Sequence, residues 1–367
     1  MNGADRRIGG QPVTLISSCV RNPSALLAEP VRLAPAVPAV RDGDLVLVRC
    51  LSEVGAYDHV EDERGAAVRL RRGQVILAVC ATRRSGTNLF GEIPAGPVRA
   101  GDRLDLLAQG GLVATCTSVP RYYRHQAMPM EVVAFPTGPD GGGLNLADAP
   151  LVRPGGDGPV RSAAPLLVVC GTSAETGKTT LVCGVNEAAR AHRPGLRTAA
   201  VKACGTGRAK DVLSYRDAGY DVVTDFVDAG LASTYRVPVW QFRAVLRALV
   251  AHCDARADLI VVEIGGDLLE ARAPDALAAL VEAGGQVLMM VNDAMGALEG
   301  LRRLRGLGVE PRLVGAFRQN PRALAERLEL PVDRVWEPGA EEVLRPVLDQ
   351  ALDGSSARRV RAGGAPR

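Results

Sequence analysis

Two hydrophobic textures divide the chain. From Asp42 to about Val133, short apolar runs recur at residues 45–48, 66–70, 74–79, 103–107 and 111–115. Each is closed by Gly or Asp turn signals, such as Arg41-Asp-Gly43. Strands at that spacing predict a small barrel or sandwich. The residues before them carry no clear period, and Leu33-Ala-Pro-Ala-Val-Pro-Ala-Val40 reads as extended. From Pro165 the texture changes. Continuous apolar runs at 166–170, 198–202, 259–264, 287–291 and 313–317 alternate with amphipathic stretches at about 179–190, 240–252, 274–282 and 297–307. Apolar strands joined by helices predict a parallel sheet covered on both faces, with ligands beyond the carboxyl ends of its strands.

Residues 135–164 separate the textures. Thr137-Gly-Pro-Asp-Gly-Gly-Gly143 opposes regular structure, and the domain boundary is expected in this stretch. The expected fold class is therefore α/β, a parallel-sheet domain preceded by a smaller β-rich domain. Its parts are a β-rich domain over 1–134, a linker over 135–164, the α/β domain over 165–352 and a disordered basic tail over 353–367. A closing helix is expected over 340–352, and the tail carries Arg358, Arg359, Arg361 and Arg367.

The apolar run 166–170 leads into Gly171-Thr-Ser-Ala-Glu-Thr-Gly-Lys-Thr-Thr180 and then a helix. Strand, Gly-bounded loop, Lys-Thr and helix form a phosphate-binding loop. Inward-pointing N–H groups, the helix N-terminus and the Lys178 charge all favour phosphate. Gly171, Thr172, Thr176, Gly177, Lys178, Thr179 and Thr180 are the expected nucleotide contacts. Thr179 also offers a hydroxyl to the Mg²⁺ that accompanies a nucleoside triphosphate. Five residues, not the common four, lie between Gly171 and Gly177.

Composition sharpens this picture. Lysine and arginine total 44, yet only Lys178, Lys202 and Lys210 are lysines, and all lie close to the phosphate loop in sequence. Where an Arg-rich chain keeps lysine, a compact ammonium is preferred to a planar fork. A net charge of +3 and 4% aromatic residues give no reason to expect nucleic acid. The eight cysteines form no C-x-x-C pair and sit mostly in apolar runs, which reads as reduced thiols in a cytoplasmic protein. The four histidines are scattered. No secretory h-region and no apolar run of about 18 residues is present, so no membrane association is expected.

Each later strand end delivers candidates. The run 198–202 ends in Lys202 and continues Ala-Cys-Gly-Thr-Gly-Arg208, a second anion cradle or a simple turn. Asp211, Asp225 and Asp228 follow, and sequence does not choose among them for Mg²⁺, which takes one or two carboxylates. Ser233-Thr-Tyr-Arg236 adds hydroxyls and a charge. The run 259–264 carries Glu263 before Gly265 and Gly266, the expected second acidic group, with Asp267 as a secondary candidate. Asn292-Asp293 and Arg318-Gln-Asn320 end the last two runs. Asn292 and Asn320 either meet a purine base or cap the helices that follow. In the first domain, Arg83-Arg-Ser-Gly-Thr-Asn88 and Tyr122-Tyr-Arg-His125 are polar clusters, either anion-binding or plain connections.

Residues 165–335 resemble the dethiobiotin synthetase-like group of P-loop proteins, to which cobyrinate amide-forming enzymes are related. The family loop Gly-Thr-x-x-x-x-Gly-Lys-Thr matches Gly171 to Thr179, its lysine after the second strand matches Lys202, and its Val-Glu-Gly-x-Gly-Gly strand end is similar to Val262-Glu263-Ile264-Gly265-Gly266. The resemblance implies that Lys178 binds phosphates, Thr179 and Glu263 help hold Mg²⁺, and Lys202 meets the acceptor. The family's Lys-Pro-Val is Lys202-Ala-Cys here, its polar residue before the loop Glu is Ala174, and it has no β-rich first domain. Biotin synthesis is therefore not expected. Val223-Thr-Asp-Phe-Val227 and Val262-Glu263 also resemble segments of P-loop D-amino-acid N-acyltransferases.

The expected function is an ATP- and Mg²⁺-dependent, ligase-like enzyme that activates a small carboxylate- or amine-bearing metabolite by phosphoryl transfer. Lys178, Lys202 and Glu175 carry the chemistry, with Glu175 meeting the acceptor or a neighbouring subunit of a homodimer. Rival expectations are acyl transfer from a CoA-type donor to an amino acid, and a nucleotide-dependent switch or cofactor-delivery protein.

Overall fold

A computed structural model describes residues 6–28, 30–156, 158–335 and 340–362. The chain forms two compact units, Met1–Arg153 with Gly205–Lys210 and Phe226–Val237, and Pro154–Cys204 with Asp211–Asp225 and Pro238–Arg367.

The first unit is built on β1 (Leu15–Ile16), β2 (Arg32–Ala34), β3 (Leu45–Cys50), β4 (Val75–Cys80), β5 (Arg83–Arg84), β6 (Phe90–Glu92), β7 (Arg103–Ala108), β8 (Leu112–Ser118) and β9 (Met128–Thr137). Their order is β5-β6-β8-β7-β9-β3-β4-β1, with β2 on β9. A further pairing of β8 with β4, Leu112 opposite Val79 and Val113 opposite Cys80, closes the ring. The unit is thus barrel-like over β8, β7, β9, β3 and β4, with β6 and β5 continuing from β8 and β1 from β4. Val46, Val48, Ile76, Leu104, Leu106, Val113 and Met130 fill its core.

The longest strand, β9, runs through residue 135, where the linker was expected to begin. Pro129 and Pro136 hide it, because proline removes a ladder donor and reads as a strand breaker. The expected linker is partly ordered as well. Asn145 caps the turn Leu146–Asp148 and donates to Asp44 Oδ1 at 2.8 Å.

The second unit contains β10 (Leu166–Gly171), α1 (Lys178–His192), β11 (Thr198–Cys204), α2 (Lys210–Asp217), β12 (Val222–Asp225), α3 (Val239–Asp254), β13 (Leu259–Ile264), α4 (Ala273–Glu282), β14 (Gln286–Val291), α5 (Ala294–Gly306), β15 (Arg312–Gly315), α6 (Pro321–Leu328) and α7 (Ala340–Ala362). All six strands are parallel in the order β12-β11-β13-β10-β14-β15. This is the α/β parallel-sheet architecture expected, with one additional edge strand, β12. The last strand stops at Gly315, and Phe317, expected inside it, is exposed.

The strand β10 is central. Its successor β11 lies two places away on one side, whereas β14 lies directly on the other, so the chain changes direction at the carboxyl end of β10. Such a switch point leaves a crevice for ligands. Leu167 and Val169 pack under Leu181, Val182 and Val185 of α1 and Leu344, Val347 and Leu348 of α7. Each such buried side chain contributes about 1.5–3 kcal/mol. Asp349 of α7 also meets His192 at 2.7 Å. The helix α7 extends to Ala362, beyond the expected end at 352, and the end of the basic tail, including Arg367, lies outside the described residues.

Among the described residues no helix is long and apolar enough to cross a membrane. The eight cysteines are free thiols, six of them buried, with Cys116 and Cys183 partly accessible. Burial pushes the Cys170 and Cys204 thiols up to about 12. The thiolate is the reactive species, so these groups are inert in the folded chain. Alkylation of the native protein is expected to mark Cys116 and Cys183 alone, slowly, and the other six only after unfolding; peptide mass mapping checks this.

Candidate functional site

The loop that leaves β10 curls over its own strand end. A Cβ on Gly171 would lie 2.8 Å from Thr176 Oγ1, so only glycine lets the loop return so closely. At the other end Gly177 precedes α1 with φ 99°, a left-handed conformation natural to glycine. Glu175, with φ 60°, takes a similar conformation at an exposed position. The Ser173 carbonyl accepts from Lys178 Nζ at 2.8 Å and from Thr176 Oγ1 at 3.3 Å. Thr172 ties the loop to the next strand. Its N–H donates to Met290 O at 3.0 Å, and its hydroxyl accepts from the Asn292 N–H at 3.0 Å.

Lys178 is only 5% exposed. Burial pulls its ammonium below the usual lysine range, and the nearby Glu263 charge opposes the shift without cancelling it. A buried cation so incompletely compensated is suited to an anion.

Sheet register builds the rest. Val169 of β10 stands beside Glu263 of β13, Glu263 beside Lys202 of β11, and Lys202 beside Asp225 of β12. Three ionic side chains therefore line adjacent strand ends. Register with β13 shifts between Lys202 and Cys204, a bulge of the kind that re-aims side chains. Thr179, at the second position of α1, lies 3.2 Å from Glu263 Oε1 and 3.4 Å from Asp211 Oδ1. A hydroxyl has one proton, so it cannot donate to both carboxylates. The second oxygen of Asp211 pairs with Lys202. The second oxygen of Glu263 accepts from the Tyr215 hydroxyl at 2.5 Å. Burial first, and then the Glu263 charge, push the Tyr215 phenol well above its usual value.

These donors fit a divalent cation. The set is all oxygen, one hydroxyl and two carboxylates. Magnesium takes one or two carboxylates and fills its other positions with water and phosphate. Among the described residues no group of three His, Cys, Asp or Glu side chains is placed to hold a metal ion.

No family model matches the chain, and no curated protein matches it. Among solved structures it is similar to a ParA family ATPase from Chlorobium tepidum TLS, at 13% identity over 55% of this chain and 94% of that chain, TM-score 0.31. It is similar to a DUF1611 family protein from Anabaena variabilis, at 15% identity over 52% of this chain, TM-score 0.37; there the match spans 58% of that protein. A third is a chain of the MinC:MinD cell division protein complex of Aquifex aeolicus, at 14% identity over 56% of this chain and 98% of that chain, TM-score 0.32. Likenesses at these values carry no activity across. The architecture stands on the strand order and register above.

The remaining candidates divide. Thr172, Thr176, Lys178, Thr179, Lys202, Asp211 and Glu263 share hydrogen bonds, ion pairs or strand register around one strand-end region. Asp225 is buried beside Lys202 in register, and Thr180 is exposed on α1. Asn320 caps α6, accepting from Arg322 N at 3.1 Å, and Asp293 caps α5, accepting from Gly296 N at 2.8 Å. Asn292 meets the loop through its backbone N–H. Asp267 accepts from Leu269 N and Glu270 N in its own turn.

In the first unit, Arg208 is committed to Glu61 at 2.9 Å and to Gln109 at 3.1 Å, and Asp228 pairs with Arg21 at 3.9 Å. The two polar clusters of that unit converge. Tyr123 and Asn88 meet at 2.8 Å, and Arg83 donates to Tyr57 at 3.0 Å. Tyr215 escaped the sequence reading. The signal available was its position four residues after Asp211, which places both on one face of a helix.

Glycine substitutions probe the site's tightness. A Cβ on Gly265 would fall 2.2 Å from the Cys204 carbonyl, whereas one on Gly184, inside α1, meets nothing within 4 Å. Gly265→Ala is expected to destabilise by about 1–3 kcal/mol, and Gly184→Ala to stabilise by about 0.5–1 kcal/mol. Urea unfolding of the two variants checks the opposite signs.

Proposed function

We propose that the second unit binds ATP with Mg²⁺ and activates a small carboxylate- or amine-bearing metabolite by phosphoryl transfer, leading to amide or ring formation. The observation that carries this reading is the Thr179 hydroxyl. It stands between the Glu263 and Asp211 carboxylates, one residue after a buried lysine, at the start of the helix that leaves the central strand.

The chain's own groups have distinct tasks. Backbone N–H groups at the start of α1 receive phosphate oxygens, and Lys178 exchanges its Ser173 carbonyl for one of them. Thr179, Glu263 and Asp211 hold the cation, with Asp225 close by in register. When bound, Mg²⁺ neutralises charge on the phosphates and on the group in transfer. Lys202, bound to Asp211, orients the acceptor's negative oxygen in line with that group. Glu175, exposed on the loop, hydrogen-bonds the acceptor or a second copy of the chain. The contribution of these residues is positioning and charge stabilisation, since phosphoryl transfer asks for little else. The metabolite binds beside Lys202, and the chain acts without nucleic acid or membrane.

Two measurements test the reading. ATP with Mg²⁺ at about a hundredfold its Kd should stabilise the protein by about 2.7 kcal/mol, a rise in melting temperature of about 5–10 °C. Lys178→Ala should abolish that rise, and unchanged ATP affinity in a folded variant sinks the proposal. ADP release that depends on an added metabolite distinguishes phosphoryl transfer from acyl transfer. Slow hydrolysis stimulated only by a protein partner indicates a switch.

A further inference from the structure

Tyr215 is fully buried on α2, and its hydroxyl donates to Glu263 Oε2 at 2.5 Å. The other carboxylate oxygen, Oε1, faces Thr179 Oγ1 at 3.2 Å. Glu263 is itself 3% exposed at the end of a strand with neighbours on both sides. The terminal torsion of a glutamate is broad, so its carboxylate plane is set by what its oxygens meet. Here the phenol occupies one oxygen and leaves the other toward Thr179.

Tyr215 and Asp211 stand four residues apart on α2, on one face. One eight-residue helix thus brings a carboxylate to one side of the Thr179 hydroxyl and a phenol to the back of the carboxylate on the other side. Tyr220 provides an internal comparison. It is almost as deeply buried and packs edge-on against Tyr215 at 6.2 Å, but its hydroxyl donates to the Val182 carbonyl. Filling the core accounts for both rings, and each buried hydroxyl needs a partner. What sets Tyr215 apart is its partner, a carboxylate that also meets Thr179, where Tyr220 takes a backbone carbonyl.

We propose that Tyr215 is a positioning residue that locks the Glu263 carboxylate with Oε1 on the Thr179 side, where the divalent cation of the nucleotide site is held. The inference rests on the ATP–magnesium reading above. Its test is a Mg²⁺ titration at fixed ATP, read as melting temperature, on the full chain and on Tyr215→Phe and Tyr220→Phe. Tyr215→Phe is expected to raise the Mg²⁺ concentration for half-maximal stabilisation about tenfold, since a hydrogen bond to a charged group is lost. Its stabilisation by ATP in EDTA should match the unaltered chain. Tyr220→Phe should lower the melting temperature without moving the Mg²⁺ midpoint. A folded Tyr215→Phe with an unmoved midpoint overturns the inference, as does an equal shift in Tyr220→Phe.

Should Tyr215→Phe fail to fold, the unaltered chain labelled with 3-fluorotyrosine supplies the answer. The Tyr215 fluorine resonance should move when Mg²⁺ joins ATP, with the Tyr220 resonance fixed; a Tyr215 signal indifferent to Mg²⁺ refutes the role. If the unaltered chain shows no Mg²⁺-dependent stabilisation, the nucleotide reading fails and this inference with it. A Mg²⁺ response that Tyr215→Phe retains removes the inference alone.

Discussion

The Thr179 hydroxyl has a single proton, and two carboxylates approach it. Sheet register gathers the other charges around that hydroxyl, with Lys202 on the second oxygen of Asp211. Glu263 arrives because β13 pairs with β10 in register, and Lys202 because β11 pairs with β13. Neighbouring strands lie about 4.8 Å apart, so register alone brings these charges within reach of one another. A slip of one residue in any pairing would turn the corresponding side chain to the other face of the sheet. Backbone pairing far from any ligand thereby sets the electrostatics of the site.

The α/β half of the chain is largely legible in the sequence. Its strands are continuous apolar runs, and the Gly171–Thr179 loop is local in sequence, so periodicity and turn chemistry suffice. The misses have physical causes. The edge strand β12 is short and only half buried, with Val222 and Val223 partly accessible, so it lacks the apolar signature of its neighbours. The helix α2 is eight residues long and polar on most of its surface. In the first unit, the short apolar runs of β3, β4 and β7 are visible, but β9 carries two prolines and β1 has only two residues. Barrel closure through β8 and β4 depends on pairing between distant segments, and no local pattern encodes it.

The site is legible where spacing dictates geometry and obscure where packing does. Lys178 and Thr179 follow from the loop pattern, and Glu263 from an acidic residue at the end of an apolar strand. Which aspartate lies beside Thr179 is decided by the path of the chain after β11, which returns Asp211 on α2 toward α1. Arg208, in the same Gly-rich stretch as Lys202, goes instead to Glu61, because a guanidinium finds a buried carboxylate and a carboxamide there. Asn320 shows how two roles share one signal. An amide at a strand end can meet a base or cap a helix, and here its oxygen accepts from the first N–H groups of α6.

The scarcity of lysine has a practical side. Of the three lysines, Lys178 and Lys202 are buried, and Lys210 is the exposed one, at the first position of α2 beside Asp211. Amine-directed conjugation of the folded chain therefore has one accessible lysine to choose, next to the helix that shapes the surroundings of Thr179. A fluorophore attached there would sit close enough to report on the site without an engineered cysteine, and the 41 arginines (44 − 3) would stay unlabelled.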